Sequence, residues 1–363
     1  MIGPSRKDKG FRLGWKAVYA TLLGTAMSAL GAQTCYAQSV QAPLVLERAM
    51  IIPDVPVGPY SDDVEIDLEG KRIFATPQAA QEVAVLDMNS GRLLKLIKGI
   101  GNPHGLFYSA SQRRLFVVDG KAGDVKVFNG QDYSLVKSIP LNLGADGLIY
   151  DPRSKLLYIS NGGRASGMQQ ALLSIVDPVR MEKVGDIPIS TVALEGGDVD
   201  PDRQLIYINM EKDDNAVAVV DLKSRLQKTV WKLPPGSHRG KGIALDTEHN
   251  RLYVASRDSE MHGSIIVLDA TDGHYITSLP IAGWVDGISV DEKRQRIYAS
   301  CGLGYIETYS IGPHDVYRHE SPVETAILAK TGMYSPEADR FYLDVPHLGD
   351  FGNAQVMVFK PLP

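Results

Sequence analysis

Seven ionisable side chains recur at one register of this chain: Asp62, His104, Asp146, Glu195, Lys241, Asp286 and Lys330. Each lies five residues before a turn residue, in the series Asp67, Ser109, Asp151, Asp200, Asp246, Asp291 and Ser335. Glycine follows in five copies, at Gly105, Gly147, Gly196, Gly242 and Gly287. A missing side chain there lets backbones approach closely at a crowded axis. The carboxylates and the imidazole suit a hard or borderline divalent cation. Five groups spread round a ring cannot all reach one ion, so the metal reading narrows to adjacent copies, Asp146 with Glu195. With the two lysines included, the same set suits a small polar ligand carrying both charges. A third reading is plain hydration of a channel mouth.

The element that positions such a set is a repeat. The phrases KRIFAT, RRLFVV, KLLYIS, QLIYIN, RLYVAS, RIYASC and RFYLDV carry the aromatic anchors Phe74, Phe116, Tyr158, Tyr207, Tyr253, Tyr298 and Tyr342, spaced 42 to 49 residues apart. Before each anchor stands a turn cluster such as DPRSK, DPDRQ or DEKRQ. Proline presets φ and Asp bonds nearby backbone, so these clusters mark turns. After each anchor comes a second apolar run, such as AVAVVD or SIIVLD, then a third, such as YITSLP. A run before the anchor, such as GIALD or GISVD, completes four strands per repeat. Four short strands every ~40–45 residues make a propeller blade. The anchors are expected to be blade core.

The last repeat stops at its third strand, QVMVFKPLP, while LVLERAMIIP (44–53) stands before the first repeat as a spare strand. The expectation is an all-β, seven-bladed β-propeller of four antiparallel strands per blade, its last blade closed by this N-terminal strand. That closure removes a free sheet edge, which would template aggregation. One domain is read over 38–363, with 44–60 as closing strand and lead-in and the repeats over 61–363.

The pattern D-x-x-x-x-R-L-Y-V-A followed by a V-x-V-x-D strand resembles the YVTN-repeat β-propellers, the YncE-like and surface-layer group, over about residues 44–363. The tetrapeptide itself is replaced by YVAS, YISN, YINM and YASC. The resemblance implies a seven-bladed ring, usually exported, with a binding role more often than an enzymatic one. Propellers of similar shape include lactonases and lyases.

Loops between second and third strands vary most, and insertions gathered on one face of a repeat protein mark its binding face. SNGGRASGMQQA carries Arg164, NMEKDDNA carries Glu211, and ASRDSEMHGS carries Arg257 and His262. Trp284 stands two residues before Asp286. Arg164, Arg257 and Trp284 therefore join the ring as candidate ligand-binding residues. No GxSxG elbow, HExxH or Walker loop is present, and such motifs carry most sequence-legible chemistry. No cofactor is implied beyond a divalent cation.

Residues 17–32 are an apolar run of 16 behind the basic residues Arg6, Lys7, Lys9, Arg12 and Lys16. That is the layout of a secretory signal, and the run is short for a membrane span. Cleavage before Gln38 is expected, with retention as an anchor the other reading. Without residues 1–37 the chain has 33 basic and 42 acidic side chains, a net charge of −9. This disfavours nucleic acid as a partner, because such binding leans on basic surface. Cys301 then stands alone, expected as a small buried hydrophobe in a strand.

Together these features predict a periplasmic or secreted, monomeric propeller. It would bind a small molecule or protein partner on its loop-rich channel face, and the signals point away from catalysis. The alternative is a metal-assisted lactonase- or lyase-like enzyme with a divalent ion at the channel mouth. In that reading His104 or His262 would transfer the proton, because free histidine titrates near working pH.

Overall fold

Alternating apolar runs and Asp-led turns fold into seven antiparallel sheets, described here from a computed structural model for residues 42–210, 215–259 and 261–363. The signal reading over 1–37 and Glu211 lie outside the described residues. The first blade is typical: Ser61–Asp67 innermost, then Arg72–Pro77, Val83–Asp87 and Leu93–Ile97 outermost. Innermost strands of successive blades touch, and Thr331–Ser335 of the seventh meets Ser61–Asp67 of the first. Gln355–Pro361, the third strand of the last blade, pairs with Leu44–Ile51, so the N-terminal strand closes the ring. Arg340 holds that strand from the second strand of the same blade, its Nε 2.6 Å from Glu47. Among the described residues no helix is long and apolar enough to cross a membrane.

The turn clusters work through a buried carboxylate. Asp67 accepts the Gly70 amide at 2.8 Å, Asp200 the Arg203 amide at 2.8 Å and Asp246 the His249 amide at 2.9 Å. These aspartates are no more than 4% exposed, so the amides offset the loss of hydration. The same turns end on residues with positive φ that are not glycine, among them Lys71, Lys155, Gln204 and Gln295. The hairpin geometry overrides local preference there.

The core is a set of wedges between blades. Phe74 packs with Leu106 and Leu115 of the second blade, and Tyr253 with Ile297 and Ala299 of the sixth. Across the closure, Met50 and Tyr342 pack with Val64 and Ile73. All seven anchors are at most 3% exposed, and Cys301 is fully buried, as expected of blade core. Each blade therefore completes its neighbour's apolar face.

Candidate functional site

The ring residues stand on a repeated irregularity of the innermost strands. Pairing with the second strand slips between Ser61 and Val64, Pro103 and Leu106, Leu194 and Gly197, Gly240 and Ile243, and Val285 and Ile288. In each case two residues oppose one, which is a β-bulge, and a bulge re-aims the side chain it carries. The bulged pairs are Asp62–Asp63, His104–Gly105, Glu195–Gly196, Lys241–Gly242 and Asp286–Gly287. The glycines serve close approach: a Cβ on Gly287 would lie 2.6 Å from the Gly332 carbonyl oxygen, and one on Gly105 2.7 Å from Leu148 Cβ. Gly147 differs, its nearest neighbour lying at an ordinary 3.6 Å.

The residue opposite each bulge is two places after the aromatic anchor, and it is often polar inside an otherwise apolar strand. Thr76 Oγ1 accepts the amides of Asp62 at 3.1 Å and Asp63 at 2.7 Å. Ser160 Oγ accepts the Gly147 amide at 3.0 Å, and Asn209 Nδ2 donates to the Lys241 carbonyl at 2.5 Å. These residues hold the site from behind. Their signal was legible as the last polar letter of IFAT, LYIS and IYIN.

The seven ring positions lock to one another across blade boundaries. His104 Nδ1 lies 2.8 Å from Asp62 and 3.2 Å from Asp146, bridging the first and third blades. Lys241 of the fifth blade is ion-paired to Glu195 of the fourth. Lys330 of the seventh is paired to Asp286 of the sixth, which also takes Arg257 at 2.9 Å. Asp146 thus groups with Asp62 and His104, whose donor atoms lie within 4.8 Å of one another. Glu195, paired with Lys241, is not a member of that group, although it shares the linings of the central cavity and the side pocket with Asp146.

Charge state follows from this geometry. Burial works against a charged His104, but the hydrogen bonds and charges of Asp146 and Asp62 outweigh it and push the imidazole up to about 11. The side-chain amide of Asn102 lies 2.7 Å from its other nitrogen. A metal binds the neutral ring, so an ion held by Asp62, His104 and Asp146 would have to displace the imidazole proton. Burial also pushes Glu195 up, against the Lys241 ammonium and with the charge of Asp146. For Asp286 burial is outweighed by Lys330, Arg257 and Lys241, and its carboxyl is held below the ordinary range. Asp63, absent from the candidates drawn from sequence, is pushed up to about 7 by burial although it accepts the Leu106 amide of the next blade at 2.7 Å.

A central cavity of about 370 Å³ opens on this ring. Asp62, Asp63 and Asp146 line one sector; Lys241, Arg257, Asp286 and Lys330 line the other, with Glu195 between. His104 is tucked behind its two carboxylates and is absent from the lining. Trp284 is absent too. It stands behind Arg257, whose guanidinium carbon is 5.9 Å from the indole centroid. Arg164 is exposed on a side pocket of about 310 Å³ that shares Asp146 and Glu195 with the cavity. His262 is exposed at the first position of the strand His262–Asp269.

No family model matches the chain. A protein of Salmonella typhi named uncharacterised protein YncE is 27% identical over 109 residues, covering 30% of this chain and 31% of that protein. Its Salmonella typhimurium counterpart is 28% identical over 109 residues with the same coverage. The chain thus spans about a third of the length of these curated relatives. Among solved structures, hydrazine synthase of Kuenenia stuttgartiensis superposes with a TM-score of 0.71 at 14% identity, over 85% of this chain and 97% of that one. A chain of the mitotic checkpoint complex gives 0.69 at 13% identity, over 95% and 100%. At such identities the likeness is one of fold. The chain is a seven-bladed β-propeller with distant likeness to YncE.

Proposed function

We propose that this chain is an exported propeller of the YVTN-repeat type that captures a small ligand bearing both a cationic and an anionic group, without catalysis. The observation that supports this reading is the division of one cavity wall into an acidic sector, Asp62 and Asp146, and a sector rich in cations, where Lys241, Arg257 and Lys330 outnumber the carboxylates Glu195 and Asp286 that pair with them. A ligand spanning the two would find a counter-charge at each end, and few convergent polar groups are enough to orient a small molecule. The basic and apolar N-terminal segment supports export, and the cavity then faces the periplasm or the cell exterior. Thermal-shift and calorimetric titration with 4-aminobutyrate, taurine and glycine betaine tests the capture. Asp146→Asn combined with Arg257→Ala is expected to abolish the response while melting as a folded protein. An unchanged response from this double variant would refute the reading.

The acidic group Asp62, His104 and Asp146 favours the metal-assisted lactonase- or lyase-like alternative only if a cation displaces the His104 proton. Elemental analysis of the purified protein, with calcium, magnesium, manganese and zinc titrations at pH 7 and pH 9, decides it. No stoichiometric ion and no thermal shift at either pH ends that alternative.

A further inference from the structure

We infer that the anionic end of the ligand is a carboxylate and that Asp286 is its intramolecular competitor, so that neutralising Asp286 tightens binding. The inference rests on the capture reading above and names the chemistry of one end of the same site.

Two cations converge on a single carboxylate, with a third beside them. Lys330 is in ion contact with Asp286 Oδ2 and the Arg257 guanidinium is 2.9 Å from Oδ1, while Lys241, ion-paired with Glu195, adds its charge from the adjoining blade. Each comes from a different blade or loop, and all four line the central cavity. Arg257 owes its place to more than Asp286. Its Nε donates to the Val285 carbonyl at 2.6 Å, and its guanidinium lies over Trp284. Trp284 itself sits at φ 61°, a region a bulky side chain enters only when its surroundings compel it. The Trp284 carbonyl accepts the Gly302 amide at 3.1 Å, which fixes that turn. Lys330 is likewise fixed through its backbone, whose carbonyl accepts the Gly287 amide at 2.8 Å.

Arg257 is therefore held in place by groups other than Asp286, the Lys330 backbone is anchored apart from it, and Lys241 is held by Glu195. A residue that merely positioned these cations would weaken carboxylate binding when lost. A residue that competes for them would strengthen it. A planar, forked guanidinium with two flanking ammonium groups matches a carboxylate, which accepts two parallel N–H bonds. Removing one like charge at this range from an incoming carboxylate, in a solvated cavity, corresponds to about a tenfold gain in affinity.

The experiment is calorimetric titration of three probes of similar length, 4-aminobutyrate, succinate and 1,4-diaminobutane, into the wild type, Asp286→Asn and Arg257→Ala. Asp286→Ser serves as a second neutral variant, and melting curves report the folding of each. The expected result is about tenfold tighter binding of 4-aminobutyrate and succinate by both neutral variants, with loss of both probes in Arg257→Ala and no gain for the diamine. Carboxylate binding that is unchanged or weakened in the Asp286 variants, with 4-aminobutyrate still bound by the wild type, overturns the competitor role alone. Binding of no probe by the wild type and any variant overturns the capture reading with it.

Discussion

Replacing His104 by glutamine offers the sharpest test of the charged belt. The imidazolium bridges Asp62 and Asp146 from the second blade to the first and third. A glutamine at this position would keep a hydrogen-bonding amide and lose the charge. The rise in the imidazole from 6.5 to about 11, at about 1.36 kcal/mol per pK unit, sets a ceiling of ~6 kcal/mol on the interaction. The Asp146 side chain is 42% exposed, so channel water screens part of this. Removing one member of a partly buried charge group then costs about 2–4 kcal/mol. For a chain of this size that is a fall in Tm of roughly 3–6 °C. The pH dependence carries the sign. A histidine whose folded pKa lies above its unfolded value contributes stability that is fully present below about pH 6.5 and is lost as pH rises towards 11. Melts of wild type and His104→Gln at pH 6, 7.5, 9 and 10 should show a gap that is widest at pH 6 and narrows steadily. Taking the difference between the two proteins cancels every other titrating group. A gap that is constant with pH, or one that widens on the alkaline side, would refute the bridge as a charged one and leave His104 as packing.

Asp344 tests a buried carboxyl without a cation beside it. Burial pushes this group up to about 8, against the Thr76 amide and the Ser61 hydroxyl, so stability linked to it is present below its unfolded pKa and lost as pH rises through 8. Asp344→Asn is expected to raise Tm by about 5 °C at pH 9 and by only about a quarter of that at pH 5, and differential scanning calorimetry at the two values checks this. Thr76→Val keeps the shape of the side chain but removes the acceptor for two bulge amides, 3.1 and 2.7 Å away. The expected loss is about 1–3 kcal/mol in urea unfolding, and an unchanged midpoint would show that the hydroxyl does not support the bulge.

Much of the fold was legible because a blade is local. An aromatic anchor such as Tyr253, an Asp-led turn such as that at Asp246 and alternating runs on either side are short-range patterns, and sevenfold repetition removes their ambiguity. Even the closing strand could be read, since Gln355–Pro361 lacked a sequence neighbour and Leu44–Ile51 lacked a partner. The candidate site was legible only as a register. Counting back from the turns gave Asp62, His104, Asp146, Glu195, Lys241, Asp286 and Lys330, yet it treated them as seven equivalent groups facing a channel. His104 and Trp284 proved to stand behind other side chains, and Asp63 was overlooked because the count took only the fifth residue before each turn and passed over the fourth. Bulges explain this: an extra residue reverses the alternation of faces, and strict alternation cannot anticipate it.

From sequence alone came the number of blades, the buried anchors, the capped turns and the set of ionisable positions, because each depends on contacts within about 45 residues. Only the tertiary structure decided how those positions pair. Asp62 with His104, Glu195 with Lys241 and Asp286 with Lys330 are joined across blade boundaries over 42 to 46 residues of chain. Coulomb interactions depend on distance in space and on burial, and both are set only when the ring closes.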